Sequence, residues 1–459
     1  MIFEQHYLDC LSQASYLIGD ETSGRAVVVD PRRDIGEYLT SAEQHGLNIE
    51  LVLETHFHAD FLSGHLELAQ ATGAEIGYGS KAETEFESRK FADGERVDLG
   101  EVVLEIRHTP GHTPESISIV VYEHADDEVP YGVLTGDALF IGDVGRPDLM
   151  ASRGVTPEEL ASQLYDSLHD RLMTLPDATR VYPAHGAGSA CGKNLSTDTW
   201  STIGNQRVDN YAVQPMSKEK FVAAVTEGQT APPAYFSFDA ALNRQQREIL
   251  DETSPTPPMT IDDVRDAKGQ GAVVLDSRDP NEFAAAHLAG SINIGLAGRY
   301  AEYAGGVIQP ESPIVLVTDG GMETEARNRL ARIGFDNVIG HLDDPVRAFA
   351  ENPDEVAHCK RYDVRALEQL MADVPDLQVV DVRQPGETAN GVIPGAIEVP
   401  LTELNQRIAD LDAAAPTVVY CAGGYRSSIA ASTMTAAGFS DVADLLGGYG
   451  AWQSAPAVG

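Results

Sequence analysis

The first half of the chain is organised around Glu54-Thr-His-Phe-His-Ala-Asp-Phe-Leu-Ser-Gly-His65. It follows an apolar run, residues 49–53, that predicts a buried strand, and it precedes apolar residues at helical spacing. His56, His58 and Asp60 therefore lie on a strand-to-helix turn, where alternating side chains can converge on one point. Ligand-type residues in this pattern indicate a metal site, with a solvated loop as the alternative.

On both sides of this stretch, strand signals alternate with helix signals over residues 1–245. The apolar runs at 14–18 and 25–29 predict a hairpin, and Thr156 with Glu159 predicts a capping box that opens a helix over 157–172. Further ligand-type residues stand at predicted strand ends or turns. They occur in Thr109-Pro-Gly-His112, Thr135-Gly-Asp137, Gly145-Arg146-Pro-Asp148 and Tyr182-Pro-Ala-His185-Gly.

The order His-x-His-x-Asp, Gly-His, Gly-Asp and Ala-His-Gly resembles the metallo-β-lactamase superfamily over roughly residues 1–245. The resemblance implies an αββα sandwich with metal at one edge. Dinuclear hydrolases of this superfamily, such as glyoxalase II, read His-x-His-x-Asp-His, but this chain has Phe61 at the last position. Because phenylalanine cannot ligate a metal, the resemblance implies one metal ion, held by His56, His112 and Asp137.

Two imidazoles and one carboxylate with open positions are typical of non-haem Fe(II) oxygenases, which predicts one Fe(II) per chain. This departure from the hydrolase pattern resembles the persulfide dioxygenases, which oxidise a thiol persulfide with O₂ to sulfite and free thiol. That resemblance implies that His58 and Asp60 lie near the iron without binding it. It also implies that His185 orients the ligands or bound water.

Two more residues are candidates for substrate binding. A glutathione-type persulfide is anionic, and Arg146 is the best candidate to attract it; the alternative is a loop pair between Arg146 and Asp148. Cys191 lies in a run of small residues, His185-Gly-Ala-Gly-Ser-Ala-Cys191. It is expected to handle sulfur near the iron, as in fused members of the resembling family, or to be an inert turn cysteine.

The second half of the chain repeats itself after a linker rich in Pro, Thr and Ser, placed at residues 246–258. Val273-Val-Leu-Asp-Ser-Arg278 corresponds to Val379-Val-Asp-Val-Arg383, and Pro313-Ile-Val-Leu-Val to Pro416-Thr-Val-Val-Tyr. A period of about 105 residues is too long for a solenoid and indicates two copies of one small α/β domain. We place them at residues 259–355 and 361–459.

The second copy carries Cys421-Ala-Gly-Gly-Tyr-Arg426 between a predicted strand and a predicted helix. Glycines let backbone N–H groups close around the thiol, and such a cradle stabilises an anion. The loop resembles that of the rhodaneses, and the match extends over residues 361–459. The resemblance implies that Cys421 carries sulfane sulfur as a persulfide and that Arg426 holds the anionic donor.

The first copy lacks these residues. Aligning Pro313 with Pro416 puts Thr318 opposite the cysteine and Glu323 opposite the arginine. We therefore predict that residues 259–355 form an inactive rhodanese-like domain that serves as a spacer or docking surface.

Composition limits the partners. A formal net charge of −39 on 459 residues repels phosphate backbones and anionic lipid, so nucleic acid and membranes are not expected partners. The amino terminus shows no secretory signal pattern, and the four cysteines are too widely spread for a disulfide framework. We expect a cytoplasmic protein that forms a homo-oligomer.

Together these features predict a persulfide dioxygenase fused to a sulfurtransferase. Its partners would be a glutathione-type persulfide, O₂, and sulfite or thiosulfate. Two alternatives stay open: a dinuclear zinc thioesterase of the glyoxalase II kind with a rhodanese tail, and a non-enzymatic sulfur-relay scaffold.

Overall fold

A computed structural model describes residues 1–149, 154–229 and 231–455. The end of the predicted second rhodanese domain, residues 456–459, lies outside the described residues. The chain divides into two compact units: unit 1 contains residues 1–251 and 332–334, and unit 2 contains residues 252–331 and 335–459. None of the helices in the described ranges is both long enough and apolar enough to cross a membrane.

Unit 1 is a sandwich of two mixed sheets with helices outside them. Its strands are β1 (Ile2–Leu8), β2 (Gln13–Asp20), β3 (Arg25–Val29), β4 (Asn48–Leu53), β5 (Glu75–Gly79), β6 (Arg89–Phe91), β7 (Arg96–Asp98), β8 (Val103–His108), β9 (Ile117–Tyr122), β10 (Gly132–Gly136), β11 (Arg180–Pro183) and β12 (Ser201–Thr202). Its helices are α1 (Gly36–His45), α2 (His65–Thr72), α3 (Pro157–Ser167), α4 (Ile203–Asp209), α5 (Lys218–Thr226) and α6 (Phe236–Leu242).

The sheets follow the orders β1-β2-β3-β4-β5-β6 and β12-β11-β10-β9-β8-β7. Their inner faces share one apolar core, to which Tyr16 and Leu53 contribute from the first sheet and Leu104 and Leu134 from the second. Separate apolar clusters pack α1 on the outside of the first sheet and α3 on the outside of the second. Burying both faces of both sheets yields the predicted αββα sandwich, and the fold class is confirmed.

Local sequence signals account for much of this unit. The predicted hairpin is present as β2 paired antiparallel with β3. Thr156 and Glu159 form the predicted capping box of α3, whose last turn continues as a short π-helix over Leu168–Leu172. Gly73 ends α2 in the left-handed conformation that glycine adopts most readily.

Unit 2 contains two parallel sheets of the same topology. Its strands are β13 (Pro258–Met259), β14 (Val273–Asp276), β15 (His287–Leu288), β16 (Ile292–Asn293), β17 (Ile314–Val317), β18 (Val338–Leu342), β19 (Val356–Ala357), β20 (Lys360–Tyr362), β21 (Gln378–Asp381), β22 (Ile397–Glu398), β23 (Thr417–Tyr420) and β24 (Val442–Leu445). Its helices are α7 (Ile261–Gly269), α8 (Pro280–Ala285), α9 (Tyr300–Val307), α10 (Glu323–Ala331), α11 (Pro345–Glu351), α12 (Val364–Asp373), α13 (Pro385–Thr388), α14 (Leu404–Arg407), α15 (Tyr425–Ala436) and α16 (Gly448–Ser454).

The strand orders are β13-β18-β17-β14-β16 in the first copy and β20-β24-β23-β21-β22 in the second. Replacing each strand of the first list by its counterpart gives the second list, so the internal repeat seen in the sequence is a structural repeat. Each copy has its own apolar core.

The two copies pack on each other through buried polar groups. Asn293, at the end of β16, is fully buried and accepts a hydrogen bond from Ser428 Oγ at 2.7 Å. Its backbone N–H donates to Ser432 Oγ at 3.0 Å. Both serines lie on α15, the helix that follows the Cys421 loop, so the first copy buttresses the loop-bearing helix of the second.

Candidate metal centre and cysteine loop

Four chain segments of unit 1 bring ligand-type side chains to one edge of the sandwich. His56 lies in the loop between β4 and α2, and His112 in the turn between β8 and β9. Asp137 directly follows β10, and His185 follows β11. Since β10 and β11 are parallel neighbours, their carboxyl ends meet at the same edge of the sheet. All four side chains are at most 2% exposed.

The three predicted metal ligands converge. His112 Nε2 is 3.5 Å and His56 Nε2 is 3.9 Å from Asp137 Oδ2, and the ligand atoms of the three residues all lie within 4.8 Å of one another. His185 Nε2 is 3.5 Å from the other carboxylate oxygen, Asp137 Oδ1. One carboxylate therefore faces three imidazole nitrogens.

Hydrogen bonds on the far side of each ring fix which nitrogen carries the proton. His112 Nδ1 is 2.8 Å from Arg146 O and His185 Nδ1 is 3.1 Å from Ser12 O. Because a carbonyl oxygen can only accept, both Nδ1 atoms donate, and in the neutral rings Nε2 keeps a lone pair. The groups that impose this tautomer are backbone carbonyl oxygens, so no sequence motif could predict them.

His56 reaches the same tautomer by a different route. Thr55 Oγ1 donates to Asp30 Oδ2 at 2.8 Å and lies 2.9 Å from His56 Nδ1. Since the hydroxyl proton of Thr55 is already used, His56 Nδ1–H donates to it and Nε2 is left as an acceptor. Asp30 and Thr55 were not among the predicted site residues, although Thr55 adjoins the first histidine of the motif.

These acceptors surround a buried anion. Within the described residues, neither oxygen of Asp137 receives a hydrogen bond from an N–H or O–H group. A buried carboxylate facing imidazole lone pairs is unfavourable unless a cation lies between them. Two or three neutral imidazoles and one carboxylate are suitable ligands for a divalent transition metal. The residues present therefore fit a metal ion, and unit 1 holds a His/Asp metal site.

Burial and neighbouring groups keep His56 in the neutral form that ligates a metal and keep the nearby Cys191 in the thiol form, which does not. Burial, together with His58, His112 and His185, holds the pKa of His56 well below its ordinary value, so His56 is neutral. Burial followed by the charges of Asp60 and Asp137 raises the pKa of the Cys191 thiol well above its ordinary value.

His58, Asp60 and His185 form a second cluster whose ligand atoms also lie within 4.8 Å of one another. His185 Nε2 is 3.3 Å from Asp60 Oδ2, while His58 Nε2 is 3.0 Å from Asp30 Oδ1. The ring of Phe61 lies 4.3 Å from the His58 ring, centroid to centroid, and brings an apolar face where an imidazole would bring a nitrogen.

Arg146 is buried and forms the loop pair that the sequence offered as an alternative to substrate binding. Its Nε and Nη2 donate to the two carboxylate oxygens of Asp148, both at 2.7 Å. The neighbouring Gly145 lets this loop approach the metal centre, since a Cβ there would lie 2.0 Å from Asp137 O. Cys191 is buried with its thiol grouped with Asp137 and His185, and its carbonyl accepts from Arg146 N at 2.9 Å.

In the second copy of unit 2, Cys421 follows β23 and precedes α15, as predicted. Gly424 N donates to Cys421 Sγ at 3.1 Å, and Sγ lies 3.8 Å from Ser427 Oγ. The thiol is 2% exposed. Ser427 Oγ accepts from the thiol and donates to Gly424 O at 3.0 Å, so the group that donates to the sulfur is the N–H of Gly424. A backbone N–H directed at the sulfur is the kind of group that stabilises a thiolate or a bound persulfide.

The guanidinium of Arg426 forms a bidentate pair with Glu387, at 2.6 and 2.7 Å. This hydrogen bond is the largest of the effects that lower the pKa of Glu387. The partner was not foreseen, because Glu387 lies on the short helix α13, 39 positions earlier in the chain. In the first copy, Thr318 is buried at the position of the cysteine, and Glu323 Oε1 accepts from Gly321 N at 3.0 Å.

Comparison with known proteins agrees with this geometry. Residues 8–185 match the profile of the metallo-β-lactamase superfamily, and residues 260–352 and 363–455 each match that of the rhodanese-like domain. A solved structure, a metallo-β-lactamase from Staphylococcus aureus subsp. aureus COL, is 32% identical with a TM-score of 0.67, and the match covers 74% of this chain and 98% of that one. The chain belongs to the metallo-β-lactamase superfamily and carries two rhodanese-like domains.

Two relatives with different activities are similar to part of this chain. The mitochondrial persulfide dioxygenase ETHE1 of Bos taurus is 29% identical over 233 residues, which are 50% of this chain and 82% of the relative. The cytoplasmic hydroxyacylglutathione hydrolase of Arabidopsis thaliana is 35% identical over 182 residues, 39% of this chain and 66% of the relative. Both an oxygenase and a hydrolase are therefore relatives of unit 1.

Proposed function

We propose that the chain is a persulfide dioxygenase joined to a sulfurtransferase. One Fe(II) per chain would be held by His56, His112 and Asp137, and the substrate would be a glutathione-type persulfide that O₂ oxidises to sulfite and free thiol. The observation that carries this proposal is the buried Asp137 carboxylate, which receives no N–H or O–H hydrogen bond from the described residues and faces imidazole lone pairs. Similarity to persulfide dioxygenase ETHE1 supports the choice of reaction.

The iron, when bound, would supply the redox chemistry with O₂. The protein contributes orientation: Thr55 Oγ1 and the carbonyl oxygen of Arg146 hold the imidazoles of His56 and His112 by their Nδ1 atoms. Such outer partners typically change metal affinity or activity about 10–100-fold when they are removed. Phe61 disfavours a second metal ion, because its ring packs against His58 and offers no nitrogen as a ligand.

Two residues are proposed to contact the persulfide. Cys191 lies with its thiol beside Asp137 and His185, a position that a sulfur substrate near the metal would share. Arg146 would have to release or share Asp148, because Asp148 occupies two of its donor nitrogens. We therefore propose that Arg146 contacts the anionic substrate only when its pairing with Asp148 is loosened, and that it is not a permanently available binding group.

Cys421 is proposed to carry sulfur between persulfide, sulfite and thiosulfate. Its thiolate attacks the outer sulfur of the persulfide R–S–SH, the S–S bond breaks, and the thiolate R–S⁻ leaves with the bonding electron pair. Sulfite then attacks the outer sulfur of the Cys421 persulfide, thiosulfate forms, one proton is released to solvent, and the Cys421 thiolate returns. The same steps run backwards make persulfide from thiosulfate. Gly424 N, 3.1 Å from Cys421 Sγ, would stabilise the Cys421 thiolate that begins and ends this cycle.

A dinuclear hydrolase is the second candidate, because one specific observation favours it. His58, Asp60 and His185 form a further ligand cluster beside the first, and a hydroxyacylglutathione hydrolase is among the relatives. Phe61 argues against it, because it removes one of the ligands that the hydrolase pattern supplies to the second ion.

Metal content and O₂ uptake test the proposal. Wild-type protein is expected to contain about one iron per chain and to consume O₂ with glutathione persulfide. A His112→Ala variant should lose both, while His124→Ala, which changes an exposed histidine of the same unit, should retain both. Two zinc ions per chain with thioester hydrolysis under nitrogen would establish the hydrolase instead. A protein with neither activity would be a scaffold.

A further inference from the structure

The loop of residues 57–63 is buried but belongs to no helix or sheet ladder, apart from one isolated bridge at Ser63. Its backbone N–H and C=O groups therefore cannot be satisfied by regular secondary structure. Buried backbone groups without partners are costly, so the partners of this loop have to come from elsewhere in unit 1. They come largely from a segment at the end of the unit, residues 235–247.

Asn243, directly after α6, makes three of these contacts with one side chain. Its Nδ2 donates to His58 O and to Phe61 O, both at 2.8 Å, and its Oδ1 accepts from Ser63 N at 2.9 Å. Asn243 is 1% exposed. The amide thus spans the loop from the second histidine of the metal motif to the start of α2.

Neighbouring side chains reinforce this contact. Tyr235 OH donates to Asp60 O at 3.3 Å. Arg247 donates to Ser63 O and pairs with the buried Glu67 of α2, with Nη1 and Nη2 on separate carboxylate oxygens. Burial raises the pKa of Glu67, but Arg247 and Arg33 outweigh it, so the carboxylate stays ionised.

We infer that Asn243 is a positioning residue of the metal centre, which sets the backbone of the loop that directly follows His56 and carries His58 and Asp60. It touches no metal-binding atom; it acts by fixing the carbonyl groups of His58 and Phe61 and the N–H of Ser63. Aspartate in its place would keep the acceptor for Ser63 N but would aim an oxygen at two carbonyl oxygens. The loop would then have to move.

The inference rests on the metal-binding part of the proposed function, and it is independent of iron and of persulfide chemistry. The probe is therefore Co²⁺, added to metal-free full-length protein under nitrogen. Its dissociation constant is measured by competition with a chelator, and its visible absorption bands report the ligand geometry. If wild type binds Co²⁺ but the iron protein consumes no O₂ with persulfide, the proposed dioxygenase fails while this inference is still tested.

Three variants distinguish positioning from general stability. Asn243→Asp is expected to weaken Co²⁺ binding about 10–100-fold and to change the visible bands. Tyr235→Phe, which deletes one hydroxyl and keeps the ring, should weaken it several-fold. The matched control is Asn293→Asp in unit 2, where a buried asparagine likewise donates to two carbonyl oxygens, Asp276 O and Arg278 O, both at 3.0 Å. The control should bind Co²⁺ as wild type does.

Near-ultraviolet circular dichroism of the metal-free proteins, compared with wild type, reports whether a variant keeps its tertiary packing, since aromatic residues of both units contribute to the signal. A folded Asn243→Asp variant with wild-type Co²⁺ affinity and bands would overturn the inference. An equal loss in the Asn293→Asp control would do the same. If Asn243→Asp does not fold, Tyr235→Phe decides: weaker binding with altered bands supports positioning, and unchanged binding refutes it.

Discussion

The two copies in unit 2 share one fold but differ in one loop, which follows β17 in the first copy and β23 in the second. In both copies an aspartate at the end of a central strand holds an arginine two positions later: Arg278 Nε donates to Asp276 Oδ1 at 2.9 Å, and Arg383 Nε to Asp381 Oδ1 at 2.9 Å. The second loop then carries a thiol, and the first carries Thr318. The ion pair is thus present in both copies, although only the second carries a cysteine in the loop, so this part of the fold does not depend on the thiol.

A second difference lies where the last helix of each copy begins. In the second copy, Gly448 opens α16 so close to the cysteine that a Cβ would lie 2.3 Å from Cys421 O. Tyr449 N donates to that oxygen at 2.7 Å. In the first copy, α11 opens with Pro345 at the position of Gly448, and among the described residues no backbone N–H, including that of Val346, donates to Thr318 O. The close support of the loop is therefore a feature of the copy that keeps the thiol.

Removing the nucleophile should have the largest effect. We expect Cys421→Ser to lower thiosulfate formation from persulfide and sulfite by at least about 10⁴-fold, because a serine hydroxyl is a far weaker nucleophile at neutral pH. O₂ uptake should change little. Cys359→Ser is the matched control and should leave both rates intact. Residual thiosulfate formation above one part in a thousand would mean that sulfur is transferred elsewhere.

The shared ion pair should matter equally in both copies. Asp276→Ala and Asp381→Ala should each lower the free energy of unfolding of unit 2 by about 3–5 kcal/mol, because each leaves a buried guanidinium without its carboxylate. Both aspartates are fully buried. Calorimetric unfolding of the two variants would measure this. A large cost in one copy and none in the other would break the equivalence of the two folds.

The support from α16 should matter less than the thiol itself. Gly448→Ala is expected to slow sulfur transfer about 10–100-fold, because it displaces the backbone of the cysteine loop by a fraction of an ångström to an ångström. Gly450→Ala is the control on the same helix, since a Cβ there would meet Ala422 O at an ordinary 3.4 Å. Equal rates in the two variants would show that the close approach is incidental.

The smallest expected effect concerns Glu387, which has no equivalent role in the first copy. The hydrogen bond from Arg426 holds its pKa below the ordinary value, so this pair stabilises the fold above that value and the stabilisation is lost as pH falls through the lowered pKa. Because Glu387 is partly exposed, the effect should stay below about 1 kcal/mol.

Urea unfolding between pH 3 and pH 6 would measure it, with Trp452 fluorescence as the signal in a Trp200→Phe background. Glu387→Gln should flatten the decline in stability at low pH. A decline as steep as that of the parent would assign the pH dependence to other carboxylates.

The sequence predicted those features that depend on side-chain type within recognisable motifs. The resemblance of the His and Asp motifs to the metallo-β-lactamase superfamily implied the αββα sandwich, and the repeated Val-Val-Leu-Asp and Val-Val-Asp patterns indicated the duplicated α/β domain. The structure confirmed both. The convergence of His56, His112 and Asp137 follows from their positions after strands that end at one edge. The capping box of α3 was readable because Thr156 and Glu159 are three residues apart.

What the sequence did not reveal depends on distant or backbone groups. Asn243 contacts His58 across 185 positions, and nothing in its local sequence marks that contact. The tautomers of His112 and His185 are set by carbonyl oxygens, which every residue possesses. Strand β6, Arg89–Phe91, was missed because three residues with two exposed charges show no apolar alternation.

The junction between the two copies has a consequence for how this protein can be divided. Asn293 satisfies Ser428 and Ser432 in an interior that water would fill if the first copy were removed. Separating the two copies would therefore expose the buried side of α15 to water and weaken the support of the Cys421 loop. The first copy thus supports the helix that follows the cysteine loop of the second, so the two copies should be expressed and engineered as a single piece.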